Sequence, residues 1–191
     1  MEIGVLALQG DVIEHVTILQ AINVIPRLVK LPRDLLDLNG LIIPGGESTT
    51  IGKLATTYDL IEPLREFGRE HAIWGTCAGA ILLSKDVQRN QPLLNLMDIQ
   101  VERNAFGRQV DSFEIDLMAP FLEDGETHPY HAVFIRAPII KSISGDAKVL
   151  LKLPNEQIVA AQQGHLLATS FHPELTPDTR FHRYFVELAT S

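Results

Sequence analysis

Residues 72–83 read "AIWGTCAGAILL", and their reading decides the fold. Ala72–Trp74 is a short apolar run of strand type, and Ala78–Leu83 suits a helix leaving it. Between them, Gly75-Thr76-Cys77-Ala78-Gly79 has the Gly-x-nucleophile-x-Gly spacing of a nucleophile elbow, with cysteine where many hydrolases carry serine. Such a turn needs glycine two positions either side because any side chain there collides with the bend. Cys77 is the only cysteine in 191 residues. A lone thiol otherwise reads as a small buried hydrophobe. The paired glycines and the strand and helix around them favour a nucleophile, placed at a helix N-terminus where free N–H groups and the macrodipole favour a thiolate.

Working toward the N-terminus, apolar runs alternate with amphipathic stretches. Ile3–Leu8 reads as a buried strand, and 11–22 as a helix with Val12, Ile13, Val16, Leu19 and Ile22 at helical spacing. Ile25–Val29 is a second strand, "LPRDLLDL" (31–38) a turn with a short helix, and Leu41–Ile43 a third strand ending at Pro44-Gly45-Gly46. Helices are expected within Ser48–Thr57 and 59–71, before the fourth strand at 72–74. This β-α-β-α order implies parallel strands joined by crossover helices in an open, doubly wound sheet. Beyond about residue 97 the texture changes. "IQVER", "SFEIDL", "AVFIRAP", "KVLLKL", "QIVAAQQ" and "HLLATSF" read as strands that extend the sheet or build antiparallel structure beside it. The only later helix is expected over 178–188, and "PFLEDGETHPY" (120–130) reads as the longest surface loop. No linker or repeat divides the chain, so one domain over 1–191 is expected.

A thiolate that expels an amine needs a proton shuttle. Of seven histidines, His172 stands out at the C-terminal end of the strand "HLLATSF", followed by Pro173 and Glu174. A carboxylate two residues on can accept an imidazole N–H and set its tautomer. The other histidines, His15 and His182 among them, read as surface or turn residues. "LIIPGGESTT" (41–50) leaves backbone N–H groups near a ligand, and with the N–H of Ala78 these suit an oxyanion hole. The same loop also reads as an ordinary strand-to-helix turn capped by Ser48.

Composition narrows the class. The chain has 16 Lys and Arg against 24 Asp and Glu, a formal charge of −8, and no basic run, which argues against a nucleic-acid protein. No apolar stretch approaches membrane length, "IGVLAL" (3–8) is too short for a signal core, and one cysteine asks for no oxidising compartment. A cytoplasmic protein is expected. No phosphate-binding glycine motif and no metal-ligand spacing occurs, so neither cofactor nor metal is expected.

Together, the glycine-pair loop, the Gly-x-Cys-x-Gly elbow and His-Pro-Glu, in that order, resemble the class I (triad) glutamine amidotransferases. More narrowly, "GVLALQGDVIEH" (4–15), "PGGEST" (44–49), "GTCAGAILL" (75–83), "VERNAFGRQVDSF" (101–113), "FIRAP" (134–138) and "SFHPELT" (170–176) are similar to the glutaminase subunits of pyridoxal 5′-phosphate synthase. "LALQGD" and "RNAFGRQ" select that subfamily. The resemblance implies a flavodoxin-like α/β fold, a mostly parallel open sheet flanked by helices with extra antiparallel strands in the C-terminal half. It implies hydrolysis of L-glutamine to glutamate and ammonia through a glutamyl thioester on Cys77, with His172 as proton shuttle and Glu174 orienting it. It also implies a glutamine site made of Gly46, Glu47, Ser48, Ala78, Arg103, Ile135 and Arg136, with Gln9 near the oxyanion side. The implied partner is a (β/α)8-barrel synthase subunit that receives the ammonia, docking near the "LALQGD" turn. Glutaminases of imidazole glycerol phosphate or anthranilate synthesis, and a cysteine peptidase on the same fold, remain as alternatives.

Overall fold

The structure, a computed structural model, describes residues 1–87, 90–103 and 112–191. Most of "RNAFGRQ" (103–109) therefore lies outside the described residues; Arg103 is within them.

The first half follows the alternation expected. In order come β1 (Glu2–Leu6), α1 (Val12–Ala21), β2 (Ile25–Val29), β3 (Gly40–Ile43), α2 (Ser48–Thr57), α3 (Ile61–Glu70), β4 (Ala72–Thr76) and α4 (Ala78–Leu83). The short helix of the 31–38 stretch is a single 3-10 turn, Pro32–Leu35. β1 stops at Leu6, short of the expected Leu8, because Ala7 and Leu8 already belong to the segment that crosses the strand ends toward α1.

The second half holds β5 (Ser84–Asp86), β6 (Met97–Glu102), β7 (Ser112–Leu117), β8 (Tyr130–Ile135), β9 (Ile139–Ile143), β10 (Lys148–Lys152), β11 (Ile158–Gln163), β12 (Leu166–Thr169) and α5 (Arg180–Leu188). The strands β5 and β9 were not separable in the sequence. The first is three residues long, and the second follows β8 after only the bend at 136–138.

Ten strands form one sheet in the order β2-β1-β3-β4-β12-β11-β9-β6-β5, with β10 branching from β11. The run β2, β1, β3, β4, β12 is parallel throughout. That is the 2-1-3-4-5 order of flavodoxin-like sheets, whose ligands sit beyond the carboxyl ends of the strands at the switch of direction. From β12 onward the pairing through β11, β9 and β6 is antiparallel. β7 and β8 form a separate two-stranded ribbon. The C-terminal half thus both extends the sheet and adds a piece beside it.

The central strands are apolar at nearly every position because both sheet faces are covered. Successive residues go to opposite faces: Leu41, Ile43 and Ile73 pack with α2, α3 and α4, while Ile42 and Trp74 pack with Leu19 of α1 and Phe181 and Phe185 of α5. Trp74 is wholly buried, its ring 5.6 Å from that of Phe185. Two apolar layers therefore clamp β4, and its C-terminal end is a rigid place from which to present a side chain. Among the described residues no helix is long and apolar enough to cross a membrane.

Candidate active site

Cys77 adopts φ 47° and ψ −103°, a region that side-chain-bearing residues avoid and that stores strain. The surroundings enforce it. Its N–H donates to the Thr169 carbonyl of β12 at 2.8 Å, and both neighbouring glycines are packed without room. A Cβ on Gly75 would lie 2.4 Å from the Gly79 carbonyl carbon, and one on Gly79 would lie 2.0 Å from the Ile43 carbonyl oxygen. The collision expected of the elbow is thus built into the geometry of this turn.

Beside Cys77, β12 runs parallel to β4 in a register that places Thr169 next to Thr76. The chain leaving β12 therefore brings His172 to the same end of the sheet. The His172 N–H is pinned to the Val133 carbonyl of β8 at 2.8 Å, and Pro173 opens the 3-10 turn Pro173–Leu175 that carries Glu174. His172 Nδ1 lies 2.7 Å from Glu174 Oε1, and both residues are buried. A second carboxylate, Asp11, stands 3.4 Å from the same nitrogen. Burial opposes the charged imidazole, but hydrogen bonds to Asp11, Cys77 and Glu174 outweigh it and push His172 up to about 12. Asp11 is held below the usual carboxylate range by its hydrogen bond to His172. Burial pushes Glu174 upward against the pull of His172. With Nδ1–H given to Glu174, the other ring nitrogen is the one left to serve Cys77. Asp11, His172 and Glu174 also bring potential metal-ligating atoms within 4.8 Å of one another. The nitrogen they surround is the one whose proton the Glu174 bond needs, so the cluster serves the imidazole.

In front of Cys77 opens a cavity of about 470 Å³, in the size range of small-molecule sites. Its lining includes Gln9, Gly46, Glu47, Ser48, Ala78, Arg103, Ile135 and Arg136, with Cys77 and His172; Glu174 sits behind His172. Every binding residue named from the sequence therefore borders one space, drawn from the ends of β1, β3, β4, β6 and β8.

The details of the 44–49 loop differ from the simple expectation. The helix cap of α2 is Glu47, not Ser48: its carboxylate accepts from the N–H of Thr49 at 3.2 Å and of Thr50 at 2.7 Å. Burial is the largest single influence and raises Glu47, but the hydroxyl and N–H of Thr50 and the N–H of Thr49 together outweigh it and hold Glu47 down to about 2. The Ser48 hydroxyl instead faces Gln91 Oε1 at 3.4 Å. Nor is the loop's backbone wholly free, since the Glu47 N–H donates to Gln9 Oε1 at 2.7 Å. Gly46 holds φ +153° against Gln9, whose Oε1 lies 2.7 Å from where a Cβ would be. By contrast, the N–H of Ala78 at the start of α4 has no backbone acceptor among the described residues, as the first turn of a helix dictates.

The two arginines also differ. Arg103 is committed to the loop, donating to Glu47 Oε1 at 3.1 Å, Thr49 Oγ1 at 3.2 Å and Gln91 Oε1 at 3.1 Å. Arg136 is exposed, sits at φ 42° directly after β8 and forms no ion pair among the described residues. It is a cation held at the cavity rim by a strained backbone, with no partner for its guanidinium among the described residues.

Residues the sequence reading missed lie behind the site. His15 and His182, read there as surface or turn residues, are both wholly buried. The signal was present for His15: it follows Val12 by three and precedes Leu19 by four, on the apolar stripe of α1. Asp11 gave no such signal, because its approach to His172 depends on the β1 and β12 ends meeting in space.

A model of the SNO glutamine amidotransferase family matches residues 5–191. The chain is 55% identical over 193 aligned residues to the pyridoxal 5′-phosphate synthase subunit PdxT of Herpetosiphon aurantiacus, covering 98% of this chain and 100% of that one. It is 49% identical to the subunit of the same name from Listeria welshimeri, covering 97% of each. A solved structure titled as a glutamine amidotransferase superposes with a TM-score of 0.91 at 47% identity over 99% of both chains. A PurLQS structure from Thermotoga maritima superposes at 0.72 with 15% identity, a likeness of fold alone.

Proposed function

Because the chain belongs to the SNO glutamine amidotransferase family, we propose that it hydrolyses L-glutamine at Cys77 as the glutaminase subunit of a pyridoxal 5′-phosphate synthase. The observation that carries this reading is a strained Cys77 that shares one cavity with a His172 that Glu174 holds at 2.7 Å.

The chemistry follows from where the groups stand. Cys77 Sγ attacks the side-chain amide carbon of glutamine, and the carbonyl electrons move onto oxygen. The Ala78 N–H and a loop N–H at Gly46–Glu47 hold that oxyanion, each donor of this kind being worth roughly 2.7–4 kcal/mol. His172, charged in the resting site, gives its proton to the departing nitrogen, and ammonia leaves a glutamyl thioester. The neutral imidazole then takes a proton from water, whose oxygen attacks the thioester carbon. Glutamate departs and the sulfur is regenerated. Glu174 keeps His172 in one tautomer and orientation throughout.

For the amino-acid end of the substrate, Arg136 offers a planar cation to the α-carboxylate. Arg103 orders the 47–49 loop against which glutamine lies. The Gln9–Glu47 hydrogen bond must give way before the loop N–H faces an oxyanion, so the donor set is complete only in a second arrangement of the loop. Docking of a (β/α)8-barrel synthase subunit near the 6–11 turn would favour that arrangement, a population shift of the kind that links partner binding to activity. The excess negative charge of the chain suits a partner with basic patches, and the whole of 1–191 acts as one cytoplasmic glutaminase unit in this reading.

The deciding experiment measures ammonia release from L-glutamine by the purified chain, alone and with a pyridoxal 5′-phosphate synthase barrel subunit, with Cys77→Ala as the blank. Strong stimulation by the barrel, lost in the variant, is the expected result. Turnover indifferent to the barrel would overturn the pathway, and no turnover in either mixture would overturn the reaction.

A further inference from the structure

Behind the triad stands a pair of imidazoles that the hydrolysis does not use. His15 of α1 and His182 of α5 are each 0% exposed, and His15 Nδ1 lies 2.9 Å from His182 Nε2. The other nitrogen of His15, Nε2, lies 3.3 Å from Thr76 Oγ1 and 3.4 Å from Glu174 Oε2. That carboxylate oxygen is buried and has no hydrogen bond of its own, although a buried acceptor left unmatched is costly. Trp74 packs in T-shaped contact with both rings, at 5.8 and 4.9 Å between centroids.

We propose that His15, backed by His182, is a positioning residue of the glutaminase triad: its Nε2–H serves Glu174 Oε2 and fixes the carboxylate that orients His172. The inference rests on the glutaminase reading for its substrate, and on the geometry alone for the contact. Proton positions follow from what each group can do. Burial holds His15 well below the ordinary histidine value, helped by the neighbouring His182 and His172, and burial brings His182 down to about 3. Both are therefore neutral, with one donor and one acceptor each. An ionised Glu174 only accepts and the Thr76 hydroxyl at 3.3 Å can accept as well as donate, so a hydrogen on His15 Nε2 suits both neighbours. His15 Nδ1 then accepts from His182 Nε2–H, which leaves His182 Nδ1 as a bare acceptor. That nitrogen is one of the buried atoms without a partner. A single direction of donation can thus run from His182 through His15 toward Glu174 Oε2, 3.4 Å away, on the side of the carboxylate opposite the His172 bond.

The groups facing Glu174 are His172 and Asp11 toward the cavity, His15 and His182 from α1 and α5, and Tyr130 from β8. Of these, His15 has a nitrogen 3.4 Å from Oε2, whereas His172 is bonded to Oε1. Without His15 the carboxylate holds its proton more tightly, so the acid limb of activity moves to higher pH.

The test uses the full chain and exploits Cys77 as the sole thiol. Its alkylation by iodoacetamide is followed from pH 5 to 9, beside kcat and KM for glutamine with the barrel subunit present. His15→Gln places an amide N–H where Nε2 stood, whereas His15→Asn is polar but stops short of Glu174. We expect His15→Asn to slow alkylation and kcat by about tenfold or more, as for a hydrogen bond to a charged group. KM should stay within about twofold and the acid limb should rise, while His15→Gln stays within about threefold of the parent. If His15→Asn does not fold, His182→Phe, which removes the donor behind His15, should show the same shift at smaller size. Unchanged rates and pH profile in the variant that folds would overturn the proposal, as would His15→Gln impaired as deeply as His15→Asn. Because alkylation needs no glutamine, a parent chain that alkylates normally but releases no ammonia overturns the glutaminase reading and leaves this test in force.

Discussion

On the β4–β12 side of the cavity, Cys77, His172 and Glu174 are all buried and each is tied to backbone or to a buried partner. On the opposite wall, Gln9 after β1, Glu47 after β3, Arg103 after β6 and Arg136 after β8 are half-buried or exposed, and the contacts among them are hydrogen bonds and one ion pair at the surface. The first wall is set by close packing, where a single added methyl has nowhere to go. The second is set by polar contacts that water can replace at little cost, since exposed ion pairs contribute only about 0–1 kcal/mol. The nucleophile is thus fixed by packing, while the loop proposed to complete the oxyanion site is held only by polar contacts.

The sharpest way to break this comparison is at the nucleophile. Cys77→Ala should bring ammonia release down to the blank while circular dichroism and melting stay near the parent, because one small side chain is lost at a turn. Near-normal turnover in that variant would mean that the wrong residue has been assigned. Next in size, Gly79→Ala should fail to give soluble folded protein or lose about 3 kcal/mol or more in urea unfolding, since its Cβ would sit 2.0 Å from the Ile43 carbonyl oxygen. Normal stability there would show that the rigid wall is softer than its packing implies.

Within the triad, Glu174→Ala should reduce kcat less than His172→Ala, by about one to two orders of magnitude, because His172 keeps its Val133 anchor and Asp11 still faces Nδ1. On the polar wall, Arg136→Ala should raise KM for glutamine by about 10- to 100-fold with kcat little changed, the size expected for one charge-assisted contact. Steady-state kinetics with the barrel subunit would separate these two outcomes. The smallest effect is expected at Glu47. Its folded value, about 2, lies below the ordinary 4.5. Its contribution is therefore complete above pH 4.5 and lost as the pH falls through about 2. Glu47→Gln should flatten the pH dependence of thermal stability in that window, and an unaltered dependence would argue that the cap does not hold the loop.

The alternation of strands and helices through α4, the elbow at Cys77 and the His-Pro-Glu run were legible in the sequence because each is a local pattern. Apolar period, glycine spacing and a carboxylate two residues from a histidine all act within one turn or strand. The partners that complete the site were not legible for the opposite reason. That Thr169 accepts the Cys77 N–H, that Asp11 and Glu174 share one face of His172, and that Gln9 holds the Glu47 N–H all depend on which strand lies beside which. The order β1-β3-β4-β12 places residues 9–11, 45–48, 77 and 172 at one end of one sheet. Likewise His15 and His182 are 167 residues apart and meet only because α1 and α5 cover the same face. Sequence pattern and the family resemblance it carries singled out the candidate residues, because reactivity belongs to residue types and their immediate neighbours. Tertiary structure alone decided what each of those residues leans on, because contacts between distant segments arise only when the sheet and its two helical layers close around a common core.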